Sequence, residues 1–375
     1  MKVLILSTKT GEGHNSASKA VADYINTRGD CEAVVADILK SGNKNVSGSV
    51  SNTYAFVTTY IPWFFRFLYS LGALISSPKH HSPIYYLNSL YSKELMRKIG
   101  EIGPDVILCP HIFSAQAITY LKLVCGLETP AAGLVTDYTC SPFWEETRLE
   151  KYVIPSRVLR EEFIKKGIPA EKLAPIGIPV CSRFKSRRSK QEARAAFGLS
   201  AEHVFVIMGG SMGYGRIPQL AGAIHERMPD AQVVAVCGNN RNLAEKMRAQ
   251  APENLVVMDF VDDIEVLMDA ADVLLTKPGG LSSTEALTKR VPIVLTDPIP
   301  CGEEMNARFL SSLGVAVFKP NIRDAADAAV ALVRAPEGAA AMLRAQEEYF
   351  DRDTDIHVGE LLISMAKAGG KELCQ

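Results

Sequence analysis

Short apolar runs bounded by polar turns recur along the chain, and most are followed by stretches in which apolar residues return every three or four positions. Runs of three to seven residues that end in glycine, proline or a polar turn read as parallel strands buried on both faces. The wider spacing reads as the helices that cover them. In the first half the runs fall at residues 2–8, 33–36, 105–109, 131–135, 152–154 and 174–176, and the helix after the first places Ala17, Ala20, Val21, Tyr24 and Ile25 on one face. In the second half they fall at 204–208, 233–236, 256–258, 273–275 and 291–296. A helix is expected to restart at Ser282-Ser283-Thr284, after the turn Lys277-Pro278-Gly279-Gly280. Strand, glycine turn and helix thus alternate in both halves. This predicts an α/β chain of two facing Rossmann-like doubly wound domains with a ligand in the interdomain cleft. The expected divisions are residues 1–182, residues 183–345, and a C-terminal helical segment, 346–375, packing back on the first domain.

With 375 residues, 47% hydrophobic and 22% charged, the chain is long enough for two packed domains and has the balance of a globular protein. A formal net charge of -1 argues against a general nucleic-acid surface, so no nucleic-acid partner is expected. The eight cysteines form no C-x-x-C pair and read as reduced, mostly buried thiols. The first strand begins at Lys2 and leaves no room for a signal peptide, which points to a cytoplasmic chain. Asp351-x-Asp353-x-Asp355 follows an expected helix rather than a strand and reads as a solvated turn, so no metal is expected.

Chemistry gathers where strands end. Gly11-Glu12-Gly13-His14 follows the first strand, the place where doubly wound domains put ligands. His14 can serve there as a general base, the ordinary alternative being a capping or structural histidine. Asp137, at the end of the fourth run, can orient His14, bind an acceptor hydroxyl or cap a turn. In the second half Gly209-Gly210-Ser211 and Cys237-Gly238-Asn239 follow two strands, and Asp259-Phe260-Val261 adds an aromatic able to stack a base. At Lys277-Pro278-Gly279-Gly280 the paired glycines clear a helix N-terminus for a diphosphate, and Glu303 and Glu304, one strand later, offer carboxylates to ribose hydroxyls. Every part of a nucleotide diphosphate then has a candidate partner.

Residues 38–93 differ from the rest. They contain no Asp or Glu, carry Lys40, Lys44, Arg66, Lys79 and Lys93, and are dense in aromatics, with Trp63, Phe64, Phe65 and Arg66 at the centre. Aromatics interleaved with cations suit the headgroup zone of an anionic membrane; a lid over an apolar substrate or a core helix with a basic rim would also use them. Pro62 and Arg66 disfavour a spanning helix. A second basic run, 183–190, reads first as a solvated linker between the domains and second as an added contact to an anionic surface.

Gly11-x-Gly13-His14, Gly209-Gly210-Ser211, Asp259-Phe260-Val261, Lys277-Pro278-Gly279-Gly280-Leu281 with Glu285-Ala286, and residues 300–306 ending at Asn306 together resemble the diacylglycerol glycosyltransferases of glycosyltransferase family 28, which include monogalactosyldiacylglycerol synthase. The resemblance runs over most of the chain. It implies a GT-B fold, a UDP-sugar co-substrate (UDP-glucose or UDP-galactose) in the C-terminal half, diacylglycerol at the N-terminal half, inversion at the anomeric carbon, and peripheral attachment to the inner face of the cell membrane. Carried over by position, His14 would be the base on the acceptor hydroxyl. Phe260 would lie near the uracil, Gly280, Ser282 and Ser283 near the pyrophosphate, and Glu303 at the ribose. Where the family carries Gly-Gln-Glu after the proline, this chain reads Cys301-Gly302-Glu303; the glutamine that would touch the donor sugar is absent, and Glu304 is the residue that would replace it. Transfer of N-acetylglucosamine to another lipid, and a UDP-sugar 2-epimerase on the same fold, are the alternatives.

Overall fold

The computed structural model describes residues 1–7, 12–37, 81–89 and 92–372. The chain divides into two compact units. One comprises Met1–Cys181, Pro300–Gly302 and Asp353–Gln375; the other comprises Ser182–Ile299 and Glu303–Arg352. Each is built on a six-stranded parallel sheet, so the fold class is the expected α/β one, two Rossmann-like domains of the GT-B kind.

In the first unit the strands are β1 (Lys2–Ser7), β2 (Glu32–Asp37), β3 (Val106–Cys109), β4 (Ala131–Leu134), β5 (Lys151–Val153) and β6 (Leu173–Ala174), ordered β2-β1-β3-β4-β5-β6. β1 is flanked by β2 on one side and β3 on the other, in register Ser7 to Asp37 and Ile5 to Leu108. The chain winds outward from β1 to β2 and then reverses to β3, which opens a crevice beyond the C-terminal ends of β1 and β3. Helix α1 (Glu12–Thr27) buries Ala17, Ala20, Val21 and Ile25 completely or nearly so, the face its spacing predicts. The last helix, Thr354–Glu372, packs on α1 with Gly359 directly against the Tyr24 ring; Glu360 accepts from Tyr24 Oη at 2.5 Å and pairs with Arg28 at 2.6 Å. Asp355 lies in its first turn and is buried, unlike the solvated position expected for it; Asp351 and Asp353 are exposed.

The second unit orders its strands β12-β11-β10-β7-β8-β9: β7 (Val204–Met208), β8 (Gln232–Val236), β9 (Leu255–Met258), β10 (Val273–Thr276), β11 (Ile293–Leu295) and β12 (Val317–Phe318). In the unit's own count that order is 3-2-1-4-5-6, with its reversal between β7 and β10. Phe205, Ile207, Val233 and Ala235 meet Leu220 and Ile224 of one helix, Ile217–Arg227, and Ala325 and Ala329 of another, Ile322–Arg334. The two-residue β12 is not among the expected strands, although it ends the apolar run Val315-Ala316-Val317-Phe318. The basic run is solvent-exposed at Arg183, Arg187, Arg188 and Lys190, as expected, and it is also anchored to the second unit. Phe184 within it is buried, Arg183 pairs with Glu265 at 3.5 Å, Arg187 donates to the Arg290 carbonyl at 3.1 Å, and Lys190 pairs with Asp272. A buried pair, Lys289 and Asp269 at 2.6 Å, takes the Arg188 N–H and the Ser186 carbonyl as further partners, so the backbone of the run is tied to the unit. Of the seven described cysteines Cys109, Cys140 and Cys237 are buried while Cys125 is exposed, so fewer thiols are interior than composition suggests.

Candidate functional site

The first unit's crevice is lined by side chains. Helix α1 begins at Glu12, so Gly13 and His14 stand in its first turn rather than in a free loop; Gly11 lies outside the described residues. The Nδ1 of His14 is 2.9 Å from the Pro110 carbonyl oxygen and 3.0 Å from the Thr136 hydroxyl. A carbonyl oxygen can only accept, so Nδ1 carries the hydrogen and Nε2 keeps its lone pair. Burial lowers the His14 pKa below its ordinary value, with the Asp137 carboxylate and the Pro110 carbonyl opposing. The ring is therefore neutral and basic at Nε2 near pH 7. Asp137 acts on it through space, while Pro110 and Thr136 hold it.

Beside it stands a histidine that the sequence reading passed over. His111 follows β3 and is the N-cap of helix α2 (Ile112–Cys125), its Nδ1 accepting the Phe113 N–H at 3.1 Å. Its ring meets that of His14 edge to face, with centroids 4.6 Å apart. Burial, aided by His14, holds its pKa well below the ordinary histidine value. The available signal was a histidine directly after the apolar run at β3, the same placement that singles out His14 after β1.

The second unit's crevice is mostly backbone. The loop after β7 and the turn after β8 interlock: Asn239 donates its N–H to the Ser211 carbonyl at 2.8 Å, and Gly213 donates to Gly210 at 3.1 Å. Gly213 has φ +60° and Gly238 φ +56°, both in the left-handed region; a Cβ on Gly213 would collide with the Cys237 carbonyl, and one on Gly238 would stand 2.5 Å from the Ser211 carbonyl. Lys277, after β10, crosses the loop, its Cε 3.0 Å from where a Gly210 Cβ would be. Its ammonium donates to Glu303 Oε1 at 2.5 Å, and Glu303 Oε2 accepts the Ile299 N–H at 2.9 Å. A ligand hydroxyl at Glu303 would use the second lone pairs of those oxygens.

The helix expected to restart at Ser282 begins two residues earlier, spanning Gly280–Lys289 with Gly279 as N-cap and no side-chain cap. Ser282 and Ser283 are thus inside the first turn. The N–H groups of Gly280, Leu281 and Ser282 have no carbonyl four residues back within the helix, and they present the positive end of its dipole. Ser283 is fully buried, its Oγ without a hydrogen-bond partner among the described residues. Asn306, also buried, donates to the Pro278 carbonyl at 3.1 Å and holds the turn from below. One turn into the helix, burial pushes the Glu285 carboxyl up to about 8, with Arg183 opposing and Glu265 adding to the rise.

The structure therefore gathers Gly210, Ser211, Gly238, Asn239, Lys277, Gly279, Gly280, Ser282, Ser283 and Glu303 around the ends of β7, β8 and β10, with Glu304 next along the chain. Phe260 and Val261 follow the edge strand β9, with Phe260 55% exposed and Asp259 paired to Arg248 at 2.6 Å. Trp63, Phe64, Phe65 and Arg66 lie outside the described residues. Among the described residues no helix is long and apolar enough to cross a membrane, and no group of three or more His, Cys, Asp or Glu is placed to hold a metal ion.

Residues 14–180 match the model of the monogalactosyldiacylglycerol (MGDG) synthase family, and residues 204–319 match that of the glycosyltransferase family 28 C-terminal domain. A processive diacylglycerol beta-glucosyltransferase of Bacillus cytotoxicus is 27% identical over 321 residues, covering 84% of this chain and 81% of the relative. One of the same description from Bacillus cereus is 25% identical over 340 residues, 86% and 82% of the two chains. Among solved structures, Acinetobacter baumannii MurG superposes with a TM-score of 0.63 at 15% identity, covering 97% of this chain and 99% of that one. The UDP-GlcNAc 2-epimerase of Neisseria meningitidis gives 0.63 at 14% identity, covering 97% and 100%. At such identities the likeness is one of fold, whereas the two family models between them take in the whole second sheet, the first sheet from β2 onward and the candidate residues from His14 to Asn306. The chain belongs to the monogalactosyldiacylglycerol synthase and glycosyltransferase family 28 group.

Proposed function

We propose that this chain is an inverting glycosyltransferase that moves a hexose from a UDP-sugar, UDP-glucose or UDP-galactose, to the free hydroxyl of diacylglycerol. The observation that carries the reading is His14: a neutral imidazole whose Nδ1–H is committed to a backbone carbonyl, leaving Nε2 to take a proton. As the hydroxyl loses its proton to Nε2, its oxygen attacks C1 of the sugar from the face opposite the leaving group, and the configuration inverts. Negative charge develops on the departing diphosphate. The N–H groups of Gly280, Leu281 and Ser282 and the Lys277 ammonium neutralise it, fixed dipoles that need no reorganisation as the bond breaks. Phe260 stacks on the uracil, and Glu303, with Glu304 beside it, serves the sugars.

The choice of lipid acceptor draws on the bacterial relatives, which are described as diacylglycerol glucosyltransferases, and on the acid-free aromatic composition of residues 38–93, suited to the inner face of an anionic membrane. Incubating the full chain with labelled UDP-glucose, UDP-galactose and UDP-N-acetylglucosamine, each with diacylglycerol in anionic vesicles, and separating the lipids tests it. Label in a glycosylated diacylglycerol is the expected result. Label only in a free sugar epimer, or in no lipid with any donor, sinks it.

A further inference from the structure

We infer that His111 is a second catalytic residue, whose Nε2–H donates a hydrogen bond to the same acceptor hydroxyl that His14 deprotonates. The inference rests on the glycosyl-transfer reading above and deepens it. The argument is one of tautomers. The Phe113 N–H can only donate, so the His111 Nδ1 it faces at 3.1 Å carries a lone pair, and in the neutral ring the hydrogen must be on Nε2. His14 is set the opposite way, for the Pro110 carbonyl holds the hydrogen on its Nδ1. Two neutral imidazoles in edge-to-face contact, centroids 4.6 Å apart, are thereby fixed in opposite tautomers, one offering a lone pair at Nε2 and the other an N–H.

Neither Nε2 has a hydrogen-bond partner among the described residues. An alcohol is the complement of this pair: its hydrogen meets His14 Nε2 and an oxygen lone pair meets His111 Nε2–H. As the proton leaves, the charge growing on the oxygen strengthens the second bond, so the interaction is larger in the transition state than in the bound state. Capping alone does not call for an imidazole. Ser, Asp or Asn satisfy a helix's first N–H groups at least as well, and none of them carries a second N–H on the far side of a rigid ring. Burial suits the role too, since a histidine kept neutral remains a donor with one fixed tautomer and does not compete with His14 for protons.

The test uses the full chain with dioctanoylglycerol as acceptor. Nitrogen-15 spectra of the imidazoles near pH 7 should show His111 as the neutral Nε2–H tautomer and His14 as the neutral Nδ1–H tautomer; adding the acceptor should shift both Nε2 signals. His111→Asn keeps an N-cap and loses the distant N–H. We expect it to retain UDP affinity within about twofold and its melting temperature within a few degrees while kcat/KM for the acceptor falls about 30-fold or more. A His111 found as the Nδ1–H tautomer or as a cation at pH 7 overturns the inference, as does a His111→Asn variant that transfers as well as wild type or loses UDP affinity in the same proportion as rate. If the wild-type chain glycosylates no diacylglycerol, the function reading falls on its own. His111 is then judged by the spectra, where the stated tautomers with acceptor-induced shifts support its role and their absence overturns it.

Discussion

The two sheets open crevices by the same topological device, a reversal of winding direction, and fill them with opposite materials. Beyond β1 and β3 the working groups are side chains, two imidazoles whose hydrogens are placed by single backbone partners. Beyond β7 and β10 they are backbone N–H groups and glycines, with one ammonium held by one carboxylate. Burial explains the division. A proton acceptor near pH 7 is best kept neutral and partly desolvated, which a packed imidazole achieves and which the lowered pKa values of His14 and His111 reflect. A multiply charged ligand needs many fixed donors at short range, which a bare helix N-terminus provides once Cβ atoms are cleared from its approach. Parallel-sheet topology therefore supplies a place, and the residues just after the strand ends decide whether that place moves protons or holds charge.

The sharpest way to break this contrast is His14→Ala. If the first crevice is devoted to proton transfer, turnover should fall by about 10³-fold with UDP affinity unchanged within about twofold, measured by initial rates and by calorimetry. A comparable loss of UDP affinity would mean that the two regions do not divide the labour. The reciprocal experiment is Gly213→Ala, which forces a Cβ against the Cys237 carbonyl at a left-handed φ. The cost, about 1–3 kcal/mol, should appear as a lower melting temperature and about tenfold weaker UDP binding, with the His14 tautomer undisturbed in nitrogen-15 spectra. Asp137→Asn should act more gently. Asp137 raises the His14 pKa, so its removal lowers it further. Because the base must be neutral to work, the acid limb of the rate profile should move to lower pH, with a loss of only a few-fold on the plateau. A limb that moves upward would contradict the through-space assignment.

The smallest effect is expected at Glu285. Its carboxyl is pushed up to about 8, above the range of an unfolded carboxylate, so the folded chain keeps a proton that the unfolded chain gives up. That stabilisation is fully present below the ordinary carboxylate range and is lost as pH rises toward about 8. Glu285→Gln should flatten this slope and melt a few degrees higher than wild type at alkaline pH, with no gain at acidic pH. Equal melting temperatures for the two at both ends of the range would show that this carboxyl is solvated in the folded chain.

Much of the fold was legible because buried parallel strands announce themselves as apolar runs; ten of the twelve strands fall on such runs, and β6 shares only Ala174 with the run 174–176. The exception, Val317–Phe318, ends an apolar run, Val315-Ala316-Val317-Phe318, that the reading passed over although it follows a glycine turn as other strands do. At the site, the glycine turns and His14 were legible because they break strand-to-helix transitions in recognisable ways. The start of the helix Gly280–Lys289 was misplaced for a chemical reason. Serines are the usual caps, yet here a glycine takes the position and leaves the N–H groups uncovered. The cations of the run 183–190 are exposed as expected, whereas the carboxylates that anchor it, Glu265 for Arg183 and Asp272 for Lys190, lie far along the chain and are not visible in a string of charges.

By itself the order of residues determined which segments would be strands, which turns would be glycine-rich, and that His14 and the turn from Lys277 to Gly280 would stand at strand ends, because those properties follow from local burial patterns and backbone freedom. Only the tertiary structure decided that Pro110, Thr136 and His111 would surround His14 and that Lys277 would meet Glu303. Those partners are set by strand order, and strand order arises from how separate hydrophobic surfaces pack, which no single stretch of sequence contains.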